Sequence, residues 1–332
     1  MKLYFPQYYE QFRCIAAACP DSCCKDWAVD VDAQAAAFYR ALPGPLGDRL
    51  RAVLVPGEDG SAGMQIENGR CPMWRQDGLC RIQAELGHEA LCHTCRTFPR
   101  LQHDFGTFAE LGLELSCPEA ARLILTGPAD FLCRQLPGGD AADYEEETMA
   151  ILLHSRQIAL EFLSAGHYTV PEKLAILLLY AHSVQAQLDG GEEALLQSEE
   201  DLAEARRYAG RGDLNALFGF FQNLEILTDT WKNRLESPIS PAPWTDQHIA
   251  LCRYFLSRYW LQAVSDYDLI GRVKFAIIGC ILIRALGGDM IATAQAFSKE
   301  IENDPDNVEA ILDGAYTSPA LTDTQLLSLL LA

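Results

Sequence analysis

Cysteine is the residue type in this chain whose number and spacing point most directly to chemistry. Ten of the twelve cysteines lie in the first 133 residues, and four of those ten fall within the tract RCIAAACPDSCCKDW. These four are Cys14, Cys19, Cys23 and Cys24, and further cysteines follow at Cys71, Cys80, Cys92, Cys95, Cys117 and Cys133. Thiolates are soft ligands that select zinc or an iron–sulfur cluster over magnesium or calcium. The sequence therefore predicts an N-terminal metal-binding region.

The spacing of the first four thiols, C-x4-C-x3-C-C, is compatible with chelation, because loops of three or four residues let two sulfurs reach one centre. The adjacent Cys23 and Cys24 side chains are expected to diverge, so they serve two metals, or one of them ligates while the other packs. The predicted metal ligands are Cys14, Cys19, Cys23, Cys24, Cys71, Cys80, Cys95 and Cys117. Eight thiols suffice for two four-sulfur sites or for one cluster with neighbouring support, and both zinc and iron stay open.

The remaining thiols receive other interpretations. Cys92 either joins Cys95 in a C-x2-C chelate or only stands beside it, and His93 between them is a further candidate ligand. Cys133, Cys252 and Cys280 are predicted to be free thiols buried in helical cores, where cysteine behaves as a small apolar residue.

Charge and composition limit the partners. The chain has 332 residues, 49% of them hydrophobic, and a formal net charge of −20. Such a surface repels phosphate backbones, which argues against nucleic-acid binding. Residues 141–332 hold 28 of the 46 acidic residues. This half either attracts a basic or lysine-bearing partner or is a solvated acidic face.

Neither a secretory signal nor a membrane span is predicted. The opening MKLYFPQYYEQF lacks the apolar run of a signal peptide. The most apolar stretch, residues 275–283, is much shorter than the roughly 20 residues that a membrane span needs, so we expect it inside a buried helix. These features predict a cytoplasmic protein without a membrane partner, in a compartment where disulfides are disfavoured.

The chain changes character near residues 137–140. Before this segment the pattern is irregular, with helices predicted at 32–42, 46–55, 81–89 and 118–127, and short strands or turns at 64–69, 76–78 and 104–116. After it, apolar residues recur at helical spacing, which predicts helices at 143–165, 171–187, 192–209, 213–235, 245–264, 267–286, 290–301, 308–316 and 322–331. The predicted fold is therefore mainly α, with a small irregular cysteine-rich metal-binding domain (1–137) that has short strands, followed by a larger all-helical domain (141–332).

Four motifs in order resemble one protein family. RCIAAACPDSCCKDW, CPMWRQDGLCRIQAELG, TCRTFPR and ELSCPEAARL closely resemble the flagellin lysine-N-methylase family over residues 1 to about 130. The resemblance implies methyl transfer from S-adenosylmethionine to lysine side chains of flagellin or another lysine-bearing protein, with an iron–sulfur cluster, expected to be 4Fe-4S, involved. Carried over by motif, the eight predicted ligands match the family pattern, and Cys92 is an additional thiol.

Methyl transfer to lysine requires the neutral amine, whereas free lysine has a pKa near 10.4. A carboxylate or tyrosine in a partly dry pocket would remove the proton, and the candidates near the cysteine motifs are Glu114, Glu119, Asp26 and Tyr8. An exposed acidic residue without a catalytic part is the alternative for each, so the catalytic residues stay unassigned. The donor site also stays unassigned, because residues 210–213 sit between predicted helices and lack the preceding strand of a nucleotide-binding loop.

Displacement at nitrogen needs no radical, and the spacing C-x3-C-x2-C typical of radical enzymes is absent. The sequence therefore favours a cluster that binds the donor or supports the domain. Arg81, Arg96 and Arg100 either grip the donor's carboxylate or form ordinary salt bridges, and the nearby aromatic residues either line a cation site or pack in the core. Two other functions stay open: a non-enzymatic zinc- or iron-binding module with a helical interaction domain, and a redox sensor at Cys92 and Cys95.

Overall fold

Helices dominate the architecture. The computed structural model describes residues 1–331. The helices are α1 (Tyr8–Gln11), α2 (Ala33–Ala41), α3 (Gly44–Val53), α4 (Arg81–Leu86), α5 (His93–Thr97), α6 (Pro118–Thr126), α7 (Glu146–Ser164), α8 (Val170–Leu188), α9 (Ser198–Tyr208), α10 (Leu214–Phe221), α11 (Asp229–Glu236), α12 (Asp246–Tyr259), α13 (Ala263–Asp266), α14 (Leu269–Leu286), α15 (Met290–Phe297), α16 (Pro305–Thr317) and α17 (Asp323–Leu331). The mainly α fold class predicted from the sequence is confirmed.

Two small sheets accompany the helices. The strands are β1 (Lys2–Pro6), β2 (Val29–Val31), β3 (Leu54–Pro56), β4 (Ala62–Met64), β5 (Arg100–Asp104), β6 (Phe108–Leu113) and β7 (Phe131–Gln135). One sheet has the order β5-β6-β1-β7, in which β1 is parallel to β6 and antiparallel to β7. The other has the order β2-β4-β3 and is antiparallel throughout. The strand-containing N-terminal region is thus present as expected.

Contacts between residues divide the chain into two compact units. The thiol unit comprises Phe12–Leu101 and Cys117–Ala120, and the helical unit comprises Met1–Gln11, Gln102–Ser116 and the chain from Ala121 onward. The helical unit is discontinuous because β1 pairs with β6 and β7, which are distant from it in sequence. The division into domains at 137 and 141 stays a prediction, and grouping by contact cuts across it.

Helix α14 forms the centre of the helical unit. It packs against α8, α12, α15, α16 and α17, and 15 of its 18 residues are buried. Its first turn is capped by the Asp268 carboxylate, which accepts a hydrogen bond of 2.8 Å from the Gly271 amide. Gly279 lies against the Phe255 ring so closely that a Cβ would approach a ring carbon to 2.8 Å. The apolar run 275–283 is therefore a buried helix, as predicted, and no helix within residues 1–331 is long and apolar enough to cross a membrane.

Several predicted elements end elsewhere. The expected helix at 213–235 is wrong, because two helices, α10 and α11, occupy this stretch and α11 begins at a new cap in which Thr228 accepts from the Trp231 amide. The expected helix at 290–301 ends at Phe297 and continues as a π-helical turn over Ser298–Glu302. Strands β1 and β7 were not expected, since their pairing partners are remote in sequence.

A buried ionic network surrounds this π-helical turn. The Glu302 side chain is fully buried and forms an ion pair of 3.1 Å with Arg258. It also accepts hydrogen bonds from the hydroxyls of Tyr254 (3.1 Å) and Tyr259 (2.9 Å). Arg258 donates in turn to the Tyr254 hydroxyl at 2.6 Å. The π-helical turn thus places a carboxylate where three α12 side chains satisfy it.

His248 offers a pH test of the helical unit. It is 2% exposed, and its Nδ1 accepts a hydrogen bond of 3.1 Å from the Thr245 amide. Within residues 1–331 its Nε2 has no hydrogen-bond partner, so protonation would bury an unpaired charge. Burial accordingly lowers the pKa of His248 to about 4.

We expect the free energy of unfolding to fall as the pH is lowered from about 6.5 to about 4. A histidine in the unfolded chain has a pKa near 6.5. Between about pH 4 and pH 6.5, His248 is therefore protonated in the unfolded chain but neutral in the folded chain. The stability that His248 contributes is complete above pH 6.5 and lost on acidification, by up to about 3 kcal/mol. Urea unfolding at several pH values should show a flatter slope in His248→Gln. The exposed His167→Gln serves as the control, and an identical slope in wild type and His248→Gln would contradict the assignment.

Candidate metal centre

The thiol unit builds part of its core from cysteine. Its buried cluster contains Cys24, Cys71 and Cys92 together with the β2-β4-β3 sheet and the inner faces of α2 and α3. Cys80 and Cys95 are partly buried against this cluster. All twelve cysteines are free thiols. The sequence motifs thus fold so that several thiols share one apolar environment.

A tight hairpin brings the adjacent cysteines to the second motif. The Cys71 amide donates to the Cys24 carbonyl at 2.8 Å, and Glu67 and Arg70 exchange two backbone hydrogen bonds across the turn. Asn68 and Gly69 occupy this turn with φ values of 52° and 71°, the left-handed conformation that Asn-Gly supplies at low cost. The predicted turn at 67–69 is confirmed. Cys24 lies beside Cys71 because its segment pairs with the end of this turn through the Lys25–Arg70 bridge and a hydrogen bond of 2.8 Å from the Asp26 amide to the Gly69 carbonyl.

A second loop returns the chain to the same place at Cys80. Trp74 and Cys80 form an antiparallel bridge, and the Arg81 amide donates to the Met73 carbonyl at 2.7 Å. The Arg49 guanidinium holds the start of this loop by donating to the Pro72 carbonyl at 2.9 Å and 3.2 Å. The loop between Cys71 and Cys80 is therefore closed by backbone contacts, so its two ends lie close together.

Cys24 is the hub of the first thiol group. Hydrogen bonds to the sulfurs of Cys23, Cys71 and Cys80 raise the pKa of Cys24 far above the usual range. The same hydrogen bonds lower the pKa of Cys23 and of Cys71, and that of Cys80 to about 6. These opposite shifts mark Cys24 as the thiol that the other three have in common.

Cys92 and Cys95 form a second group. Their thiols contact each other, and this hydrogen bond raises the pKa of Cys95 and lowers that of Cys92. The Asp32 carboxylate fixes the segment, because it accepts hydrogen bonds from the His93 amide at 2.7 Å and from the Ala35 amide at 3.0 Å. The two thiols therefore lie beside each other, and whether they chelate a metal together stays a prediction.

The third group contains Cys14, Cys19 and Cys117. Burial raises the pKa of Cys117 to about 11, and the charges of Cys19 and Cys14 add to this effect. Burial likewise raises the pKa of Cys19. Cys14 is exposed, and its sulfur accepts a hydrogen bond of 3.4 Å from the Ala16 amide. These three thiols come from the first and the last motif, so the two ends of the cysteine pattern meet within the thiol unit.

The donor set fits a thiophilic metal in chemistry but not in preformed geometry. Among residues 1–331 no three or more His, Cys, Asp or Glu side chains are placed to hold a metal ion. The Cys24 thiol is nevertheless near enough to those of Cys23, Cys71 and Cys80 for them to shift its pKa, and the Cys71 sulfur lies 3.2 Å from the Met64 thioether. Soft donors at such closeness suit zinc or iron–sulfur ligation. The eight predicted ligands all lie in the thiol unit, and their assignment to a metal stays a prediction.

The thiols outside the motifs differ in burial. Cys252 and Cys280 are buried next to each other in the helical unit, as expected. The prediction that Cys133 is buried in a helix is wrong: it lies in strand β7 and is exposed. β7 is the edge of its sheet, and four of its five side chains face solvent. His93 is exposed and is not placed as a ligand.

The candidate bases differ in environment. Tyr8 is buried, and burial raises its pKa above that of an ordinary tyrosine, which argues against a role as base near neutral pH. Glu114 is half-buried and accepts from the Ser116 hydroxyl at 3.1 Å, and burial raises its pKa. Asp26 lies 3.6 Å from Lys25 in an ion pair. Glu119 lies in the first turn of α6 and has an interaction partner.

The arginines and aromatic rings beside the motifs take mostly structural positions. Arg81 forms an ion pair of 3.0 Å with Glu85 one helical turn away. Arg100 lies over the Phe12 ring at 5.0 Å. Trp27 and Trp74 pack against the buried cluster of the thiol unit. The interpretations of salt bridging and core packing account for these contacts.

Sequence reasoning missed two groups that shape the centre. The thioether of Met64 adds a soft donor beside Cys71, and no sequence signal pointed to it. Asp32 links α2 to the Cys92 segment, and its position at the start of a predicted helix is the signal that could have identified it as a cap.

Comparison with known proteins finds similarity to two lysine-N-methylases. The chain is 32% identical over 135 residues to a lysine-N-methylase of Salmonella choleraesuis (strain SC-B67) and 33% identical over 129 residues to one of Salmonella typhimurium (strain LT2). Each match covers 37% of this chain and 32% of the relative, so the chain spans about a third of the length of these two proteins. No family model and no solved structure matches the chain.

A third relative is shorter. The chain is 31% identical over 135 residues to the flagellar biosynthetic protein FliU of Salmonella muenchen, in a match that covers 37% of this chain and 76% of the relative. This coverage extends over most of the relative, and the four cysteine motifs occur here in their expected order. The chain belongs to the flagellin lysine-N-methylase family.

Proposed function

We propose that this chain is a cytoplasmic protein-lysine N-methyltransferase that uses S-adenosylmethionine and an iron–sulfur cluster to methylate flagellin or another lysine-bearing protein. The observation that supports this most is the gathering of nine thiols in one compact unit, with Cys24 in contact with three others. The names of the relatives point to the same reaction.

The residues that would hold the cluster are those whose thiols already meet. The largest group contains Cys23, Cys24, Cys71 and Cys80. Cys92 and Cys95 lie near this group, because the charges of Cys80 and Cys23 contribute to the raised pKa of Cys95. A bound cluster would supply a binding point for the amino and carboxylate groups of the methyl donor and a cross-link for the thiol unit.

The transfer itself balances without a redox step. The lone pair of the neutral lysine nitrogen forms the new N–C bond while the methyl C–S bond of the sulfonium breaks, and the sulfur leaves as a neutral thioether. The nitrogen then carries one proton too many, which passes to a base or to water. Because lysine is protonated at neutral pH, the protein must stabilise the neutral amine before attack.

The proposal is tested by purifying the full chain without oxygen and measuring iron, sulfide, zinc and visible absorption. We expect iron and sulfide with broad absorption near roughly 400 nm. The same preparation, mixed with flagellin and methyl-labelled S-adenosylmethionine, should yield methylated lysines detectable by mass spectrometry. The Cys80→Ser variant should lose both signals, whereas Cys133→Ser at the exposed edge of the sheet should keep them.

A colourless protein with stoichiometric zinc and no methyl transfer would overturn the proposal. It would support instead the non-enzymatic metal-binding module, with the helical unit as an interaction surface. Loss of iron without loss of methyl transfer would remove the cluster from the reaction but keep the enzyme.

A further inference from the structure

A long cleft lies within the helical unit, in a part of the chain that the cysteine motifs do not reach. Its volume is about 1280 Å³, and its walls are one face of the β5-β6-β1-β7 sheet and one face of α7. On the sheet side, Lys2 and Tyr4 of β1 lie beside Phe108 and Glu110 of β6. The opposite face of the sheet is packed in a separate buried cluster. The cleft is thus a built feature of the fold rather than a gap between loops.

The α7 side of the cleft runs the whole length of that helix. The lining residues recur at steps of three and four, which places them on one helical face: Glu146, Met149, Ala150, Leu153, His154, Gln157, Leu160, Glu161 and Ser164. At 1.5 Å per residue this face is about 27 Å long. An extended peptide rises about 3.3 Å per residue, so the cleft matches a segment of about eight residues better than a compact small molecule.

Apolar and aromatic side chains line much of the cleft between its two ends, together with His154 and Gln157 of α7. Tyr4 and Phe108 contact edge to face at a centroid distance of 6.0 Å, and the Tyr144 hydroxyl is held by Thr107 at 2.8 Å. Leu153 is 37% exposed there. Such walls suit the four-carbon stem of a lysine, and the ring faces attract its ammonium group.

A buried ion pair forms the floor. Arg156 and Glu110 are each 8% exposed at the side chain, and the guanidinium donates to both carboxylate oxygens, at 2.8 Å and 2.5 Å. Arg156 also lies 5.7 Å from the Phe131 ring. This ion pair links α7 to β6. Because the two charges cancel, the net charge of the cleft is set by its other charged residues.

The carboxylates of the rim are the groups available to a ligand. Glu146 and Glu161 are exposed at opposite ends of the α7 face, about 22 Å apart along the helix. Neither forms an ion pair within the part of the chain that the structure describes, and Asp130 on the sheet side forms none there either. Three cations oppose them: Lys2, Arg253 and the N-terminal ammonium of Met1. Arg253 donates to the Leu160 carbonyl at 2.6 Å and the Met1 ammonium donates to the Leu136 carbonyl at 3.0 Å, so both of these face the protein.

We propose that this cleft is the docking groove for an extended, lysine-bearing segment of the protein substrate. Its apolar and aromatic side chains take the aliphatic stems, and Glu146 and Glu161 pair with lysine ammonium groups at the two ends. The identity of the segment as substrate rests on the proposed methyltransferase function, whereas the binding itself does not. Lys2 weakens the binding of this segment, since both Lys2 and the lysines of the segment are positively charged.

The test measures binding without donor or transfer. A fluorescein-labelled peptide of alternating alanine and lysine, about eight residues long, is titrated with the full chain and followed by fluorescence anisotropy. We expect binding that weakens as salt rises and that is lost when glutamine replaces the lysines of the peptide. The double variant Glu146→Gln/Glu161→Gln should raise Kd about tenfold, and Lys2→Gln should lower Kd about threefold, as expected for exposed charge pairs.

The matched control is Glu199→Gln/Glu200→Gln in the first turn of α9, which removes the same charge from an exposed place outside the cleft and should leave Kd unchanged. The docking proposal would be overturned if the glutamine peptide bound as tightly as the lysine peptide. It would also be overturned if Lys2→Gln bound the lysine peptide more weakly than the wild type does. Methyl transfer whose KM is insensitive to Glu146→Gln/Glu161→Gln would also overturn it while leaving the proposed function intact. Peptide binding without any methyl transfer would keep the groove and remove the proposed function.

Discussion

Replacing Cys24 with serine is expected to lower the metal bound per chain at least tenfold. Cys24 is 8% exposed, and its thiol contacts those of Cys23, Cys71 and Cys80, so its loss removes three thiol contacts at once. Serine offers a hard oxygen in place of a soft sulfur and holds zinc or iron poorly. Because metal binding is coupled to folding of small metal domains, we also expect the thiol unit to become more susceptible to proteolysis.

The measurement is iron and zinc content of the anaerobically purified chain, together with limited proteolysis. Cys133→Ser is the matched control, since this thiol is exposed in the helical unit. If Cys24→Ser yields no folded protein, the half-buried Cys80 provides the second variant, Cys80→Ser. Metal content unchanged in both variants would exclude the Cys24 group as the site and direct attention to Cys14, Cys19 and Cys117.

Replacing Glu302 with alanine is expected to lower the free energy of unfolding of the helical unit by about 3–5 kcal/mol. The side chain is fully buried, and its removal leaves the Arg258 guanidinium and the Tyr254 and Tyr259 hydroxyls without their common acceptor. Breaking a buried ion pair from one side costs about this much, because the remaining charge stays desolvated. Glu302→Gln keeps an acceptor for the tyrosines and should fall between wild type and Glu302→Ala.

Urea unfolding followed by tryptophan fluorescence measures both variants. The control is Arg206→Ala, which breaks the ion pair with Glu172 at the surface, where Arg206 is 59% exposed. We expect this control to change stability by less than about 1 kcal/mol. A Glu302→Ala variant as stable as the control would mean that the network is solvated in solution and does not hold the π-helical turn.

Both predictions concern groups whose importance depends on contacts across long stretches of chain. The cysteine motifs, the helices after residue 143 and the turn at 67–69 could be predicted because each depends on local spacing. Helix starts are local in the same way: Asp32, Asp268 and Asp289 each accept a hydrogen bond from an amide in the first turn of the helix that follows, although none of them was predicted as a cap.

Local signals failed where a distant partner decided the outcome. Strand β7 was not predicted, because FLCRQ becomes a strand only by pairing with β1, more than 120 residues earlier. Cys133 was wrongly expected to be buried for the same reason, since its exposure follows from the edge position of β7. The helix at 213–235 divided because the Glu300 carboxylate accepts from the Leu227 amide at 2.8 Å and holds the break open.

The sequence by itself determined the family, the soft-donor chemistry of the first 133 residues and the helical character of the rest, since residue type and short spacing carry that information. Tertiary structure decided which thiols meet: Cys24 lies beside Cys71 because their segments pair, and the Trp74–Cys80 bridge returns Cys80 to the same place. Cys92 and Cys95 lie in a segment that Asp32 holds. Tertiary structure also decided that a face of α7 and a face of a sheet enclose a groove with carboxylates at both ends. The physical reason is that chelating spacing and amphipathic periodicity are local, whereas burial, shared protons and cleft walls arise only when remote segments pack together.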